Sequence, residues 1–179
     1  DCGYDITYLS VDDKGRLNLN ELKSSINENT LLIAVMMANN ELGNIYPIKE
    51  IGAIAKENNI LFHCDAVQAV GKTKIDVKDL NITTLSLSGH KIHAPKGIGA
   101  LYVNKNIQYT ALIFGHQESN RRGGTENVAG IVALGKACEN ILIEGYQDNN
   151  IKNLRDLMES KITEKIKKEL RSYDSFLQS

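Results

Sequence analysis

The chain has 179 residues, 42% of them apolar and 24% charged, with a formal net charge of -1. That length suits one domain, or one domain plus an appendage, and the apolar share is enough for a real core. The near-neutral balance excludes a nucleic-acid surface or a strong anion trap, no apolar run approaches the ~20 residues that span a bilayer, and the three cysteines, an odd number, predict a reducing, cytoplasmic setting.

Ile6–Val11 reads as a short strand. Asn18 or Asn20 can cap a helix that carries Leu22 and Ile26, and Asn18 with Glu21 has capping-box spacing. Leu31–Met37 is a continuous apolar run, the pattern of a strand buried on both faces. The polar stretch Asn39-Asn40-Glu41-Leu42-Gly43 follows as a loop at its C-terminal end. Pro47 suits the first turn of a helix, and Ile48, Ile51, Ile54 and Ala55 give that helix a buried face. Ile60–Cys64 is the next strand, ending in Asp65. Thr84–Leu87 is another and runs out into Ser88-Gly89-His90-Lys91. Gly99–Val103 is a further short strand after a Lys96-Gly97-Ile98-Gly99 turn. Asn127–Asn140 reads as a helix with Val128, Ile131, Val132 and Leu134 apolar. Ile151, Leu154, Met158, Ile162 and Ile166 then recur at helical spacing in a Lys- and Glu-rich stretch, which predicts a long, half-exposed helix. Alternation of strands and helices predicts an α/β fold with a mainly parallel sheet. Asp1 in place of a methionine, and a C-terminal run Tyr173–Ser179 with no helix stop, give the expectation that the chain is part of a longer polypeptide.

The polar residues that stand out follow strands: Asn39 and Asn40, Asp65, and Ser88 to Lys91. Open parallel sheets bind ligands in the crevice at the carboxyl ends of their strands, so three strands aim polar groups at one edge. A lysine there is costly unless its amine has work. One task is a Schiff base to an aldehyde, which needs a neutral, nucleophilic amine; the plain alternative is a loop lysine paired with a carboxylate. Asp65 can cap the segment that follows it. It can equally partner a protonated pyridine nitrogen, keeping the ring cationic and so an electron sink. Gln68, three residues on, can lie on the same side of a first helical turn and donate to that ring's phenolic oxygen. Ser88 and His90 can hydrogen-bond a phosphate, and Gly89 lets the backbone pass close to a ligand. Thr125, before the helix at Asn127, suits an N-cap, a phosphate contact, or both. His63 and His93 carry no predicted role, and the four histidines show no metal-ligand spacing with the cysteines.

Taken in order, several stretches carry a family resemblance: Asn39–Gly43, His63-Cys64-Asp65-Ala66-Val67-Gln68-Ala69-Val70-Gly71-Lys72, Ser86–Lys91, Ala94–Val103 and Arg122-Gly123-Gly124-Thr125-Glu126-Asn127. The chain closely resembles cysteine desulfurases of the NifS/IscS type, class V of the fold-type-I pyridoxal-phosphate enzymes, from about Asp5 to the helix near Cys138. The resemblance implies a three-layer αβα large domain. Residues 1–146 would be its central part, and residues 147–179 a long helix leading toward a smaller C-terminal domain. It implies that Lys91 holds pyridoxal 5′-phosphate and moves protons at the substrate carbon. Asp65 would meet the pyridine nitrogen, Gln68 the ring oxygen, and Ser88, Gly89 and His90 the phosphate end. Asn40 would lie near the ring and the substrate carboxylate. Thr125 would reach the phosphate of the other subunit, which implies a homodimer. The implied reaction takes L-cysteine to L-alanine and leaves enzyme-bound persulfide sulfur for an iron–sulfur scaffold or other acceptor protein. Family members also carry a ring-stacking histidine and a phosphate-binding threonine upstream, and an acceptor cysteine and a substrate-binding arginine downstream. Cys2, Cys64 and Cys138 do not match that cysteine, so the 179 residues are expected to be inactive alone. The glycine-rich run before the Gln-Glu pair is shortened here to Gly115-His116-Gln117-Glu118. Rival expectations are another class V enzyme, such as a selenocysteine lyase or a transaminase, and a non-catalytic dimerisation or scaffold module.

Overall fold

A computed structural model describes residues 3–144 and 149–177. The chain divides into two units, Asp1–Tyr146 and Gln147–Ser179. The first unit begins with α1 (Leu19–Ser25), whose N-cap Asn18 accepts the N–H groups of Asn20 and Glu21 at 2.9 and 3.4 Å. The capping box does not close. Glu21 turns away to take the backbone N–H and the hydroxyl of Ser10, which hold its carboxyl below the ordinary range.

The expected strand at Ile6–Val11 does not form. Only Val11 makes a bridge, to Leu17, and Ile6 and Tyr8 are 69% and 84% exposed. Without a neighbouring strand, β-prone residues have no ladder to join.

Four strands form one sheet in the order β1 (Leu32–Met36), β2 (Leu61–Asp65), β3 (Thr84–Ser88) and β4 (Gly99–Val103). The first three run parallel and β4 is antiparallel to β3. As an edge strand, β1 is not buried on both faces as its sequence suggests; Leu32 is 53% exposed. Between β1 and β2 runs α2 (Ile48–Glu57), with Pro47 at its start and Ile48, Ile51, Ile54 and Ala55 all buried. Gly52 lets this helix approach the backbone beyond it: an added Cβ would stand 2.0 Å from the Leu80 carbonyl oxygen.

Side chains alternate across β2. Phe62 and Cys64 are fully buried in the cluster that also holds Ile51, Ile82 and Leu85, while His63 and Asp65, on the opposite face, are half-buried. Two threonines fasten β2 to β3 at its upstream end. Thr83 Oγ1 accepts the Phe62 N–H at 3.0 Å, and Thr84 Oγ1 lies 2.8 Å from His63 Nδ1.

A short 3-10 turn, Gly89–Ile92, follows β3. Its buried Ile92 anchors a second apolar cluster with Ala94 and Ala137, against which Leu134, Cys138 and Ile141 of α4 (Val128–Glu144) pack. The cap of α4 is Asn127, not Thr125: Asn127 Oδ1 accepts the Gly130 N–H at 3.1 Å. Of its apolar positions, Val128, Ile131 and Val132 are 66%, 42% and 66% exposed. α3 (Gln117–Asn120), between β4 and α4, is a single distorted turn.

The second unit holds α5 (Asn149–Leu177), a helix of 29 residues as its periodicity predicts. Its apolar positions Ile151, Leu154, Met158, Ile162 and Ile166 are exposed. Cys2 lies outside the described residues. Among the described residues, no helix is long and apolar enough to cross a membrane.

Candidate active site

Three parallel strands end side by side. Register pairs Met36 with Asp65 and Asp65 with Ser86. The ladder continues past the strand ends: the Met37 N–H donates to the Asp65 carbonyl at 2.7 Å, and the Ala66 N–H to the Ser86 carbonyl at 3.0 Å. The Asp65 backbone is thus clamped from both sides, at the edge where parallel sheets bind ligands.

The Asp65 side chain is half committed. Oδ1 accepts the Val67 N–H at 2.9 Å and so caps the turn Ala66–Val70. Oδ2 accepts nothing among the described residues, and it is free to take a donor from a ligand. The capping reading and the ligand reading of this residue therefore coexist, one oxygen each. Gln68 is half-buried in the same turn, and its Oε1 takes the Lys72 ammonium at 3.2 Å. No regular helix forms here, so the pairing of Asp65 with Gln68 rests on a turn.

Lys91 sits inside the 3-10 turn between buried Gly89 and buried Ile92. It is half-buried and makes no hydrogen bond or ion pair among the described residues. A half-buried lysine just past a strand end, with its amine unpaired among the described residues, is placed where carbonyl chemistry can use it. Gly89 is needed for packing: an added Cβ would meet the Ile98 side chain at 2.8 Å and the Ile98 carbonyl oxygen at 3.0 Å. The Gly89 N–H donates to that carbonyl at 2.9 Å, tying the turn to the start of β4. Ser88 Oγ and His90 Nδ1 are 2.8 Å apart and hydrogen-bond each other, so the hydroxyl and imidazole expected to share an anion already form one polar pair.

Asn40 and Thr125 are not drawn into this group by any bond. Asn40 is exposed and donates to Glu41 Oε1 at 2.8 Å, in a turn that Asn39 organises by accepting the N–H groups of Glu41 and Leu42. Thr125 is exposed, ahead of α4, and its hydroxyl has no partner among the described residues.

The loop before Thr125 has features that the sequence reading missed. Glu118, Ser119 and Asn120 are all left-handed, with φ of 48°, 57° and 64°. Left-handed backbone costs about 1–2 kcal/mol per ordinary residue, less for asparagine. The loop base is closed by two glycines, since a Cβ at Gly123 would stand 2.1 Å from the Phe114 carbonyl oxygen. Gln117 also folds back onto this base. No local sequence signal marks it, because its partner lies seven residues away.

Cys64 is fully buried, and burial, helped by the neighbouring Asp65 charge, pushes its thiol up to about 12. Cys138 is half-buried against the cluster around Ile92. No cluster of metal-binding side chains occurs among the described residues.

A mainly parallel sheet with a lysine, an aspartate and a hydroxyl–imidazole pair at or just past its strand ends defines an α/β protein with a candidate ligand site at that edge. The family model described as aminotransferase class-V matches residues 1–177, and the chain belongs to that family. It is 52% identical over 168 residues to a cysteine desulfurase of Nostoc sp., covering 92% of this chain and 42% of that protein. To the cysteine desulfurase IscS of Methanosarcina thermophila it is 54% identical over 156 residues, covering 86% of this chain and 39% of that one. The chain thus spans about two fifths of the length of these curated relatives. Among solved structures, a NifS-like protein from Rickettsia africae matches with a TM-score of 0.82 at 35% identity, over 87% of this chain and 45% of that one. A protein described as "SspA in complex with cysteine" matches with a TM-score of 0.74 at 48% identity, over 76% and 40%. Membership of this family makes pyridoxal 5′-phosphate the cofactor. The unpaired Lys91 amine, the open Asp65 oxygen and the Ser88–His90 pair fit its aldehyde, pyridine nitrogen and phosphate.

Proposed function

We propose that the whole protein is a homodimeric, cytoplasmic cysteine desulfurase, converting L-cysteine to L-alanine and passing sulfur as a persulfide to an iron–sulfur scaffold or other acceptor. Residues 1–146 belong to the central part of its cofactor-binding domain, and the helix Asn149–Leu177 in the stretch 147–179 leads toward a smaller domain. The observation that carries this reading is the pair of free valences at adjacent strand ends: Asp65 Oδ2 beside the strand that leads into the unpaired Lys91 amine. The names of the relatives support the substrate.

Bound there, pyridoxal phosphate supplies an electron sink for the substrate carbon. Lys91 would hold the aldehyde carbon, and its amine would serve to move the proton at the substrate's α-carbon. Asp65 would hold the pyridine nitrogen through Oδ2 and keep it protonated, while Oδ1 accepts the Val67 N–H. Gln68 would donate to the ring oxygen through its Nε2 amide, which the bond from Lys72 to Oε1 leaves free. Ser88 and His90, steadied by Gly89, bind the phosphate, with Thr125 of the partner subunit. Asn40 orients the substrate carboxylate beside the ring.

The sulfur acceptor is not the fully buried Cys64. A thiol pushed up to about 12 is almost wholly protonated at neutral pH and has no thiolate to attack with. Cys2 and Cys138 do not match the acceptor cysteine of the resembling family either, so the 179 residues alone are expected to release no alanine from L-cysteine. The test is L-alanine formation by the whole protein in the presence of pyridoxal phosphate. Turnover lost in Lys91→Ala is expected; turnover that survives it, or none in the unaltered protein, contradicts the reading.

A further inference from the structure

The loop from Ile113 to Gly124 is closed at its base. The Gly123 N–H donates to the Ile113 carbonyl at 2.7 Å, and the Gly124 N–H donates to Gln117 Oε1 at 3.0 Å. Every residue from Leu112 to Arg122 is exposed except Gln117, which is half-buried. Its side chain lies beneath the loop, where Oε1 would be 2.7 Å from a Cβ on Gly115. That Cβ would also be 2.6 Å from Gly123 Cα, so the two arms of the loop touch and admit no side chain between them. Directly after Gln117 come the three left-handed residues Glu118, Ser119 and Asn120. Three strained residues in an exposed loop persist only when something fixes the chain on either side of them. The two base bonds and the glycine contact do so here. Gly124, itself at φ +104°, is the residue before Thr125.

We propose that Gln117 is a positioning residue for Thr125: by holding the Gly124 N–H it keeps the strained loop closed and presents the Thr125 hydroxyl, ready oriented, to a phosphate monoester. This rests on the reading of Thr125 as a phosphate ligand. The gain is preorganisation. A hydroxyl already held in place loses less freedom when the anion arrives. Gln117 does not touch the phosphate; it acts through Gly124.

The test uses the whole protein and compares pyridoxal 5′-phosphate with unphosphorylated pyridoxal, by equilibrium dialysis. Unaltered protein, Gln117→Met, Thr125→Val and the double variant are measured. Methionine keeps the length of glutamine and removes the oxygen acceptor. Gln117→Met is expected to weaken the phosphorylated ligand about fivefold to tenfold, the scale of one hydrogen bond, and to leave pyridoxal unchanged. In the Thr125→Val background it is expected to cost nothing further. An equal loss for both ligands at an unchanged melting temperature, or no loss for either, overturns the proposal. Where Gln117→Met lowers the melting temperature, Gln117→Glu, which keeps an acceptor oxygen, is read by tryptic cleavage after Arg121 and Arg122. Resistance like that of the unaltered protein supports the loop closure, and cleavage as fast as in Gln117→Met overturns it. Unaltered protein with no preference for the phosphorylated ligand removes the functional reading itself, an outcome distinct from the other two.

Discussion

The strand-end group and the loop before α4 both carry candidate cofactor residues, yet they are held in opposite ways. Asp65 and Lys91 stand on ladders: their backbones are fixed by hydrogen bonds to neighbouring strands or to buried turn residues, over a core that contains fully buried Phe62 and Cys64. Thr125 stands on a loop closed at its base by one side-chain bond, one backbone bond and two glycines, with three left-handed residues held between them. Residues that must not move are built on redundant structure. Exposed Thr125 is built on a small, strained arm, whose geometry a single substitution can release.

The comparison can be broken most strongly from below. Phe62→Ala removes the largest fully buried side chain under the strand ends and should destabilise the protein by about 3–5 kcal/mol, read from the midpoint of urea unfolding. A loss below about 1 kcal/mol would mean that the sheet does not depend on this core. Next in size, Asn127→Ala should cost about 1 kcal/mol through the lost cap of α4, while Thr125→Ala stays within about 0.5 kcal/mol. The reverse order would return the capping role to Thr125. Gly123→Ala sharpens the contrast, because its Cβ would be forced against the Phe114 carbonyl oxygen at 2.1 Å. It should speed tryptic cleavage after Arg121 and Arg122 and leave cleavage elsewhere unchanged.

The smallest effect expected is a pH effect remote from both regions. Asp76 accepts the N–H groups of Lys78 and Asp79, and those bonds hold its carboxyl below the ordinary range. A lowered folded value means that its contribution is complete above the unfolded carboxylate range and is lost as pH falls through the folded one. The gap in melting temperature between unaltered protein and Asp76→Asn should therefore be widest near neutrality and close in acid. A gap that is constant with pH would rule out the carboxylate as its source.

Much of the first region is legible in the sequence. The apolar spacing of α2, the run ending in Asp65 and the run ending in Ser88 each report their own burial, because periodicity is a local property. The loop is not legible in that way. Gln117 meets Gly124 seven residues away, and nothing in either residue type announces it. Thr125 and Asn127 are both good caps, and only the path of the chain decides that Asn127 reaches the Gly130 N–H. The same limit explains Ile6–Val11 and Leu31–Met37. Both have strand composition, but whether a strand pairs, and on how many sides, is set by neighbours that a local pattern does not contain.

The central claim is that Lys91 is the residue that holds the cofactor. Borohydride treatment of the whole protein with pyridoxal phosphate, followed by peptide mass analysis, tests it directly. The predicted result is a reduced cofactor adduct on the peptide containing Lys91 and no other. An adduct on Lys72 or Lys96 in its place, or none at all, would contradict it.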